Sequence, residues 1–514
     1  MDLSLSGCVN LGQAFERVVD LRPGHTALAY PTGERISYAE LGERVDRIAA
    51  GLLERGVQAR QVVALFNHKS PDGIAAILAC NKLGVLYANI DPASPAERCV
   101  RILDRCMPAL ILVDEPTLDN ARSLTGAHAD KLVSLQEVAA QAGNTSGASD
   151  ITGTDGAYIM FTSGSTGFPK GAVITHQNVL NFIAWGRHHI GITPDDVMTN
   201  VNPIYFDNSV YDLYVALYNG ATLCPFTTDQ VKDARALVKA VGELGCTFWF
   251  SVPSMLVYLL TMRAVEKGSM PAMKRIMFGG EGFPKAKLAE LHALLGDRVQ
   301  LINCYGPTEC TCICSAYDIT AKDLKEKDEL APLGRLAPGF YFHIDALDAA
   351  DPTLGELLLG GPNVGSGYYN DPERTSAAFV QDPREPNYRK IMYRTGDLVR
   401  LGEDGLLRFK GRVDNQIKHM GYRIELEEVE AAFSALPTVH EVGVIYKAGA
   451  PGLPGSILAY VNADEGSTAE VLAAEVAKTL PTYMRPRTIF VRHTALPKNS
   501  NGKIDRQALK ALAQ

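Results

Sequence analysis

Short runs in which nearly every position is apolar alternate along this chain with longer stretches whose apolar positions recur three and four residues apart. VVALF (Val62 to Phe66), LILV (Leu110 to Val113) and FWFSV (Phe248 to Val252) are of the first kind and read as strands. YAELGERVDRIAAGLLERG (Tyr38 to Gly56) and DARALVKAVGELG (Asp233 to Gly245) are of the second kind and read as amphipathic helices. Strand-like and helix-like segments in alternation predict α/β architecture.

Two interruptions organise the pattern. NTSGASDITGTDG (Asn144 to Gly156) is small, polar and glycine-rich, and predicts an exposed connection. Near Gly411 the text becomes GRVDNQIKHMGYRIELEEVEAAFSAL, turn-prone at first and then an amphipathic helix from about Glu425. A chain of 514 residues, 46% hydrophobic, exceeds what a single core usually holds. The expected division is a large domain over residues 1–413 and a small one over 414–514, with the hinge at Asp414.

Charge and composition narrow the function. A net charge of -8 argues against a dedicated nucleic-acid binder. The start MDLSLSGCVNLGQAF lacks the basic, then apolar, form of a secretory leader, and no stretch approaches the roughly 18 apolar residues of a membrane span. A cytoplasmic enzyme with no membrane insertion is expected. The 10 cysteines lack paired C-x-x-C zinc spacing and are expected to be reduced and buried. Cys310, Cys312 and Cys314 share a two-residue period that would place them on one face of a strand.

The strand-like YIMF (Tyr158 to Phe161) leads into TSGSTGFPKG. Gly164, Gly167 and Gly171 free the backbone to aim N–H groups at one point, the hydroxyls of Thr162, Ser163, Ser165 and Thr166 add donors, and Lys170 adds positive charge. This is an anion cradle. It is not a Walker A loop, which needs G-x-x-x-x-G-K-[ST] directly before a helix.

Around this loop the chain resembles the adenylate-forming superfamily, in particular the amino-acid adenylation domains of non-ribosomal peptide synthetases and the similar D-alanyl carrier protein ligases. The resemblance runs from about residue 10 to 510 and includes LYANIDPASPAER (Leu86 to Arg98), FDNSVYDLY (Phe206 to Tyr214), NCYGPTE (Asn303 to Glu309), GELLLGGPNVGSGYYN (Gly355 to Asn370), YRTGDL (Tyr393 to Leu398), GRVDNQIKHMGYRIELEEVE (Gly411 to Glu430) and LPKNSNGKIDR (Leu496 to Arg506). It implies a large adenylate-forming domain, of two α/β subdomains and a β-rich one, with a small mobile α+β C-terminal domain. It also implies ATP and Mg2+ as cofactors.

Residue by residue, the resemblance implies that Thr162 to Lys170 clamps the β- and γ-phosphates, that Glu309 binds magnesium and that Thr308 lies near the α-phosphate. Tyr305 would face the adenine and Asn303 its edge, Gly306 would belong to the same ATP site, and Asp397 and Arg412 would hold the ribose. Lys503 matches the mobile lysine that stabilises charge developing at phosphorus. Rotation at Asp414 would exchange Lys503 for the segment Lys418 to Arg423, with Gly421, which lines a thiol tunnel in the second state; Lys418 also falls within reach of the nucleotide.

Asp207 of FDNS distinguishes the substrate class. In matching motifs of α-amino-acid activators this aspartate pairs with the ammonium; acyl-CoA synthetases for plain acids generally lack it. The rest of the acyl pocket is expected from Asn208, Tyr211, Ser251, Met277, Gly279, Cys304, Cys312 and Ile313, which favours a small or modestly polar side chain such as alanine, serine or glycine. No attachment-serine segment follows residue 503, so a free-standing enzyme is expected, with a separate phosphopantetheinylated carrier protein as acceptor. Coenzyme A is the alternative acceptor, and a non-catalytic nucleotide-binding protein the alternative class.

Overall fold

The computed structural model describes residues 5, 7–141, 145, 147, 150–164, 168–325, 330–449, 455–499 and 504–512. Ser165, Thr166, Gly167 and Lys503 lie outside them. The architecture is mixed α/β, with a large N-terminal part and a small C-terminal part.

The apolar runs are strands, at Val62–Phe66, Leu110–Val113 and Phe248–Ser251, and the amphipathic stretches are helices, at Tyr38–Glu54 and Ala234–Glu243. Local chemistry sets the boundaries. Before the helix Tyr38–Glu54, Ser37 Oγ accepts the Glu40 N–H at 3.2 Å and the Glu40 carboxylate accepts the Ser37 N–H at 2.7 Å, which satisfies two otherwise orphaned donors.

Two large sheets face one another. The first runs, in spatial order, Gly367–Tyr368, Lys170–Thr175, Gly156–Thr162, Leu86–Asn89, Val62–Phe66, Leu110–Val113 and Leu132–Ser134; its centre is parallel. The strands Gly156–Thr162 and Lys170–Thr175 pair antiparallel, so the segment joining them turns back at one edge of that centre. The second sheet has nine strands, with Gln300–Tyr305, Arg275–Gly279, Phe248–Ser251, Val197–Asn200 and Thr222–Pro225 adjacent and parallel. One apolar core joins the facing sides, taking Val63 and Leu65 from the first sheet and Phe250, Met277 and Ile302 from the second. Helix Pro71–Leu83 is buried from Gly73 onward and sends most of its side chains into this core, which accounts for apolar residues around most of its circumference. Separate cores cover the outer faces.

A third, antiparallel sheet holds Tyr341–Ala346, Leu354–Gly360, Ile391–Leu401, Phe379–Gln381 and Leu407–Arg412. Beyond it a two-stranded ribbon, Gln416–His419 with Tyr422–Glu425, leads into helix Leu426–Ser434 and a sheet of Val439–Lys447, Ser456–Ala463 and Thr488–Arg492. This last unit encloses its own core around Val429, Phe433, Val444, Val461 and Leu472.

Two expectations need correction. Cys310, Cys312 and Cys314 do not share a strand. Cys310 closes a 3-10 turn, and Thr311 and Cys312 then both take left-handed backbone, at φ 58° and 69°. The strand begins only at Ser315, and the pattern splits: Cys304 and Cys312 enter the core between the large sheets, Cys310 and Cys314 the core of the third. All ten cysteines are free thiols, and all but Cys8 are buried. Second, the connection before Gly156 is not wholly exposed. Ile151 is 3% exposed and packs on Gly84, while Arg60 binds both Asp150 and Asp155. Among the described residues, no helix is long and apolar enough to cross a membrane.

Candidate active site

The C-terminal ends of the parallel strands, the turn after Thr162 and the ribbon after Asp414 meet in one cleft. The groups expected on the phosphate side are met first. Thr162 ends its strand with a buried hydroxyl that has no hydrogen-bond partner among the described residues. At Gly164 a Cβ would stand 2.0 Å from the Phe168 carbonyl oxygen, so only glycine lets the turn close this tightly. Lys170, at the start of the returning strand, lies 3.6 Å from Glu309. Burial, and the nearby Arg423, bring its ammonium down to about 8, despite Glu309 and Glu425.

Glu309 is fully enclosed. Its Oε1 accepts from Tyr368 Oη at 2.7 Å and its Oε2 from Arg423 Nη1 at 2.8 Å. Burial alone would raise this carboxyl; Arg423 and Lys170 outweigh it and hold the group far below the usual carboxylate range. An ionised, enclosed glutamate beside phosphate-side donors suits a hard cation, which takes one carboxylate plus phosphate oxygens and water. Magnesium ATP therefore fits the donor set of Thr162, Ser163, Gly164, Lys170 and Glu309.

The predicted nucleoside side is built on the neighbouring strand ends. Tyr305 Oη donates to Asp397 Oδ2 at 2.6 Å, and Arg412 Nη1 to Oδ1 at 2.5 Å. Arg412 also grips the expected hinge, through Nε and Nη2 to the two Asp414 oxygens, each at 2.6 Å. Asn303 donates to the Pro332 carbonyl at 2.8 Å. The Lys418 ammonium lies 5.7 Å from the Tyr305 ring centroid, and burial lowers its pKa. Gly306, Thr308, Asp397, Arg412, Lys418, Asp207 and Asn208 line one cavity of about 70 Å³. That is far below the roughly 300 Å³ or more of a small-molecule pocket, because the ribbon fills it.

Asp207 stands where this cavity meets the acyl side, and its Oδ2 accepts from Thr308 Oγ1 at 2.6 Å. Burial pushes its carboxyl upward, with the hydrogen bond only partly offsetting this. Among the described residues no cation lies within ion-pair distance of it. Behind it Tyr211 is clamped by rings, edge-on to Phe182 and Phe250 at 5.7 and 5.2 Å and stacked on Phe248 at 5.6 Å. Met277 is fully buried, and a Cβ on Gly279 would come within 2.4 Å of the Cys304 carbonyl oxygen. Cys304, Cys312 and Ile313 share this core. The left-handed turn that delivers Cys312 and Ile313 is fixed by Thr311 Oγ1, which donates to the Asn363 carbonyl at 2.7 Å.

Ser251 does not join this group. Its hydroxyl accepts from the Trp249 indole at 2.8 Å and donates to the Val252 carbonyl at 3.1 Å, on the opposite strand face from Phe250. Phe250, which no sequence motif singles out, faces Tyr211 instead. Nor does the sequence announce the Tyr368 contact with Glu309, the buried ion pair of Arg98 with Glu428, or Glu281, which accepts the Gly421 N–H at 3.2 Å. Arg98 closes the motif LYANIDPASPAER, but nothing in spacing links it to a glutamate 330 positions away.

Comparison with known proteins accords with this geometry. The AMP-binding enzyme family matches residues 15–369, and the AMP-binding enzyme C-terminal domain matches residues 428–503. Tyrocidine synthase 2 of Brevibacillus parabrevis is 33% identical over 97% of this chain, and bacitracin synthase 3 of Bacillus licheniformis 33% identical over 97%. The chain spans only 13% and 8% of their respective lengths. PA1221, described as an NRPS protein containing adenylation and PCP domains, superposes with TM-score 0.82 at 26% identity, over 99% of this chain and 85% of that one. The o-succinylbenzoate CoA synthetase of Bacillus subtilis shares the fold, with TM-score 0.85 at 22% identity, over 97% of this chain and 98% of the other. With both parts of the fold matched in order and the cleft built where they meet, the chain belongs to the AMP-binding enzyme family, within the adenylate-forming superfamily of ATP- and magnesium-dependent ligases.

Proposed function

We propose that the chain activates an amino acid with a small side chain as its aminoacyl-AMP and then transfers the aminoacyl group to the phosphopantetheine thiol of a carrier protein. The observation that carries the amino-acid reading is Asp207. A carboxylate so enclosed stays ionised only beside a cation, and none of the described residues makes an ion pair with it, the Arg423 charge acting only from farther off. A substrate ammonium would supply it, which orients the substrate carboxyl toward Thr308.

In this reading Ser163, Gly164 and Lys170 hold the phosphates, Glu309 the magnesium, Tyr305 the adenine, and Asp397 with Arg412 the ribose. Magnesium, when bound, neutralises charge on the phosphates. The residues position the carboxyl and the α-phosphorus, and positioning with fixed charge is what adenylation requires. Tyr211, Met277 and Gly279 leave little depth for a side chain, which favours alanine, serine or glycine.

The acceptor half-reaction would use the large cleft of about 870 Å³ between Tyr258, Glu281, Phe409, Met420, Tyr446 and Lys510, which reaches Lys418 and Asp414. Residues of both parts line it, which suits a thiol carried on a flexible arm. PA1221, with its PCP domain, supports a carrier protein over free coenzyme A.

ATP–pyrophosphate exchange against a panel of L- and D-amino acids tests the first half-reaction, and thioester formation on a phosphopantetheinylated carrier protein or on coenzyme A tests the second. Exchange driven only by acids without an amino group would overturn the amino-acid reading.

A further inference from the structure

Two charged side chains where the large sheets meet have no part in the proposed chemistry. Asp212 is fully buried, and its Oδ2 accepts from the side-chain amides of Asn200 at 3.0 Å and Asn202 at 2.9 Å. The Asn202 amide also donates to the Phe250 carbonyl at 3.0 Å. Lys69, just beyond strand Val62–Phe66, donates from its ammonium to the Asn200 carbonyl at 2.7 Å and opposes the Asp212 charge without an ion-pair contact. Burial lowers the Lys69 ammonium and raises the Asp212 carboxyl; the two asparagine amides and the attraction between the charges work against it.

Asp212 occupies a widened helical turn. Asn208–Val210 is α-helical, Tyr211–Val215 opens into a π turn, and Ala216–Tyr218 is α-helical again. Such turns are rare, and where they occur they are frequently at functional sites. Relaxation to a regular helix would rotate one side of the turn against the other by about 100°, one residue's share of a helical turn. The following side is fixed, since Leu217 and Tyr218 lie in the core and the Leu217 carbonyl accepts from Tyr38 Oη at 3.0 Å. The rotation would therefore fall on Asp207 and Tyr211. Against it stands the Asp212 carboxylate, tied to strand Val197–Asn200 and, through Asn202, to Phe250, whose ring meets Tyr211 edge-on.

We propose that Asp212 is a positioning residue for the acyl pocket: clamped by Asn200 and Asn202 and balanced by Lys69, it holds the widened turn in the register that sets Asp207 and Tyr211 against the substrate. The inference rests on the proposed assignment of those two residues to the amino-acid site. Asp212 meets no reacting atom and acts through its neighbours.

ATP–pyrophosphate exchange kinetics, read beside amide hydrogen exchange of the full chain, test this. N202A and D212A break the clamp and are expected to raise the KM for alanine about tenfold, the scale of one hydrogen bond to a charge, with the KM for ATP changed less than about twofold. D212N keeps an acceptor for both asparagine amides but leaves Lys69 without its counter-charge, so adding K69M to D212N should bring the alanine KM back toward that of the parent. Simple loss of folded protein would lower kcat for every substrate and leave both KM values in place. Without any substrate, hydrogen exchange over residues 207–218 should quicken in N202A and D212A and stay near the parental rate in K69M/D212N. Unchanged alanine KM in the clamp variants, an equal rise for ATP, or parental hydrogen exchange over this segment would overturn the proposal even in a fully active enzyme. N202A alters one neutral side chain and decides the matter if D212A does not fold. A parent that activates no amino acid would overturn the substrate reading alone, because the hydrogen-exchange comparison still decides whether Asp212 holds the turn.

Discussion

Thr308 Oγ1 donates to Asp207 Oδ2 at 2.6 Å, tying the residue nearest the expected α-phosphate to the carboxylate nearest the expected ammonium. The two come from segments about a hundred positions apart, at the helix start Asn208–Val210 and the turn after strand Gln300–Tyr305. Their contact fixes the spacing between the group expected at the ammonium and the group expected at the α-phosphate. D207N keeps shape and a hydrogen-bond acceptor but removes the charge. It should lower kcat/KM for an amino acid by roughly 10² to 10³, the worth of a buried charge pair. Steady-state exchange kinetics check this, and a loss under fivefold would separate Asp207 from the ammonium.

Asp397 is held from both sides, by Tyr305 and Arg412. D397N should raise the KM for ATP about tenfold, since hydrogen bonds to a charged acceptor are the stronger kind. The sharper measurement compares ATP with its 2'- and 3'-deoxy analogues. The parent should discriminate and the variant should not; equal discrimination in both would remove Asp397 from the ribose.

Lys170 carries a pH dependence whose sign can be worked out. Its folded-state pKa, lowered to about 8 by burial and Arg423, lies beneath the ordinary lysine value of 10.5. Between those values the unfolded chain binds the proton and the folded chain does not. This group's unfavourable contribution is therefore fully present below about pH 8 and is relieved as pH rises toward 10.5. Phosphate binding moves oppositely, since it needs the ammonium. The KM for ATP should climb from pH 7 to pH 9, and in K170R, which keeps its charge, it should stay flat. An identical rise in both would show that another group titrates.

Pocket depth is set by packing rather than by polar contacts. Y211A, by removing a ring clamped among Phe182, Phe248 and Phe250, should cost about 3–5 kcal/mol of stability in denaturant titrations and admit leucine or phenylalanine in exchange assays. G279A should do the reverse. Its Cβ has no space against the Cys304 carbonyl, so overpacking of about 1–3 kcal/mol and loss of all but glycine activation are expected. If Y211A retained the parent's side-chain preference, the floor of the pocket would lie elsewhere.

Elements were legible in the sequence where one force decided them. Val62–Phe66 and Leu110–Val113 are buried on both faces, so unbroken apolar runs announce them. Asp207, Tyr305, Glu309 and Asp397 were legible because each sits in a dense motif, and folding brings all four to one cleft or its wall. Cys310 to Cys314 misled because a two-residue period describes a strand only if the backbone stays extended, and Thr311 with Cys312 turns left-handed under the hold of Asn363. The Ser251 hydroxyl lies on the Trp249 face of its strand, where it accepts from the indole, a partner that no motif announces. The Arg98–Glu428 and Arg423–Glu309 pairs were illegible for a different reason. Each joins charges hundreds or more than a hundred positions apart that, taken singly, read as solvated helix or turn residues.

The central claim is that one carboxylate selects an amine beside a nucleotide cleft. It is tested most directly by ATP–pyrophosphate exchange with alanine and with propionate, which differ only in the amino group. The account predicts that alanine of one or both hands drives exchange in the parent and that propionate at the same concentration does not. Equal exchange with propionate would contradict it.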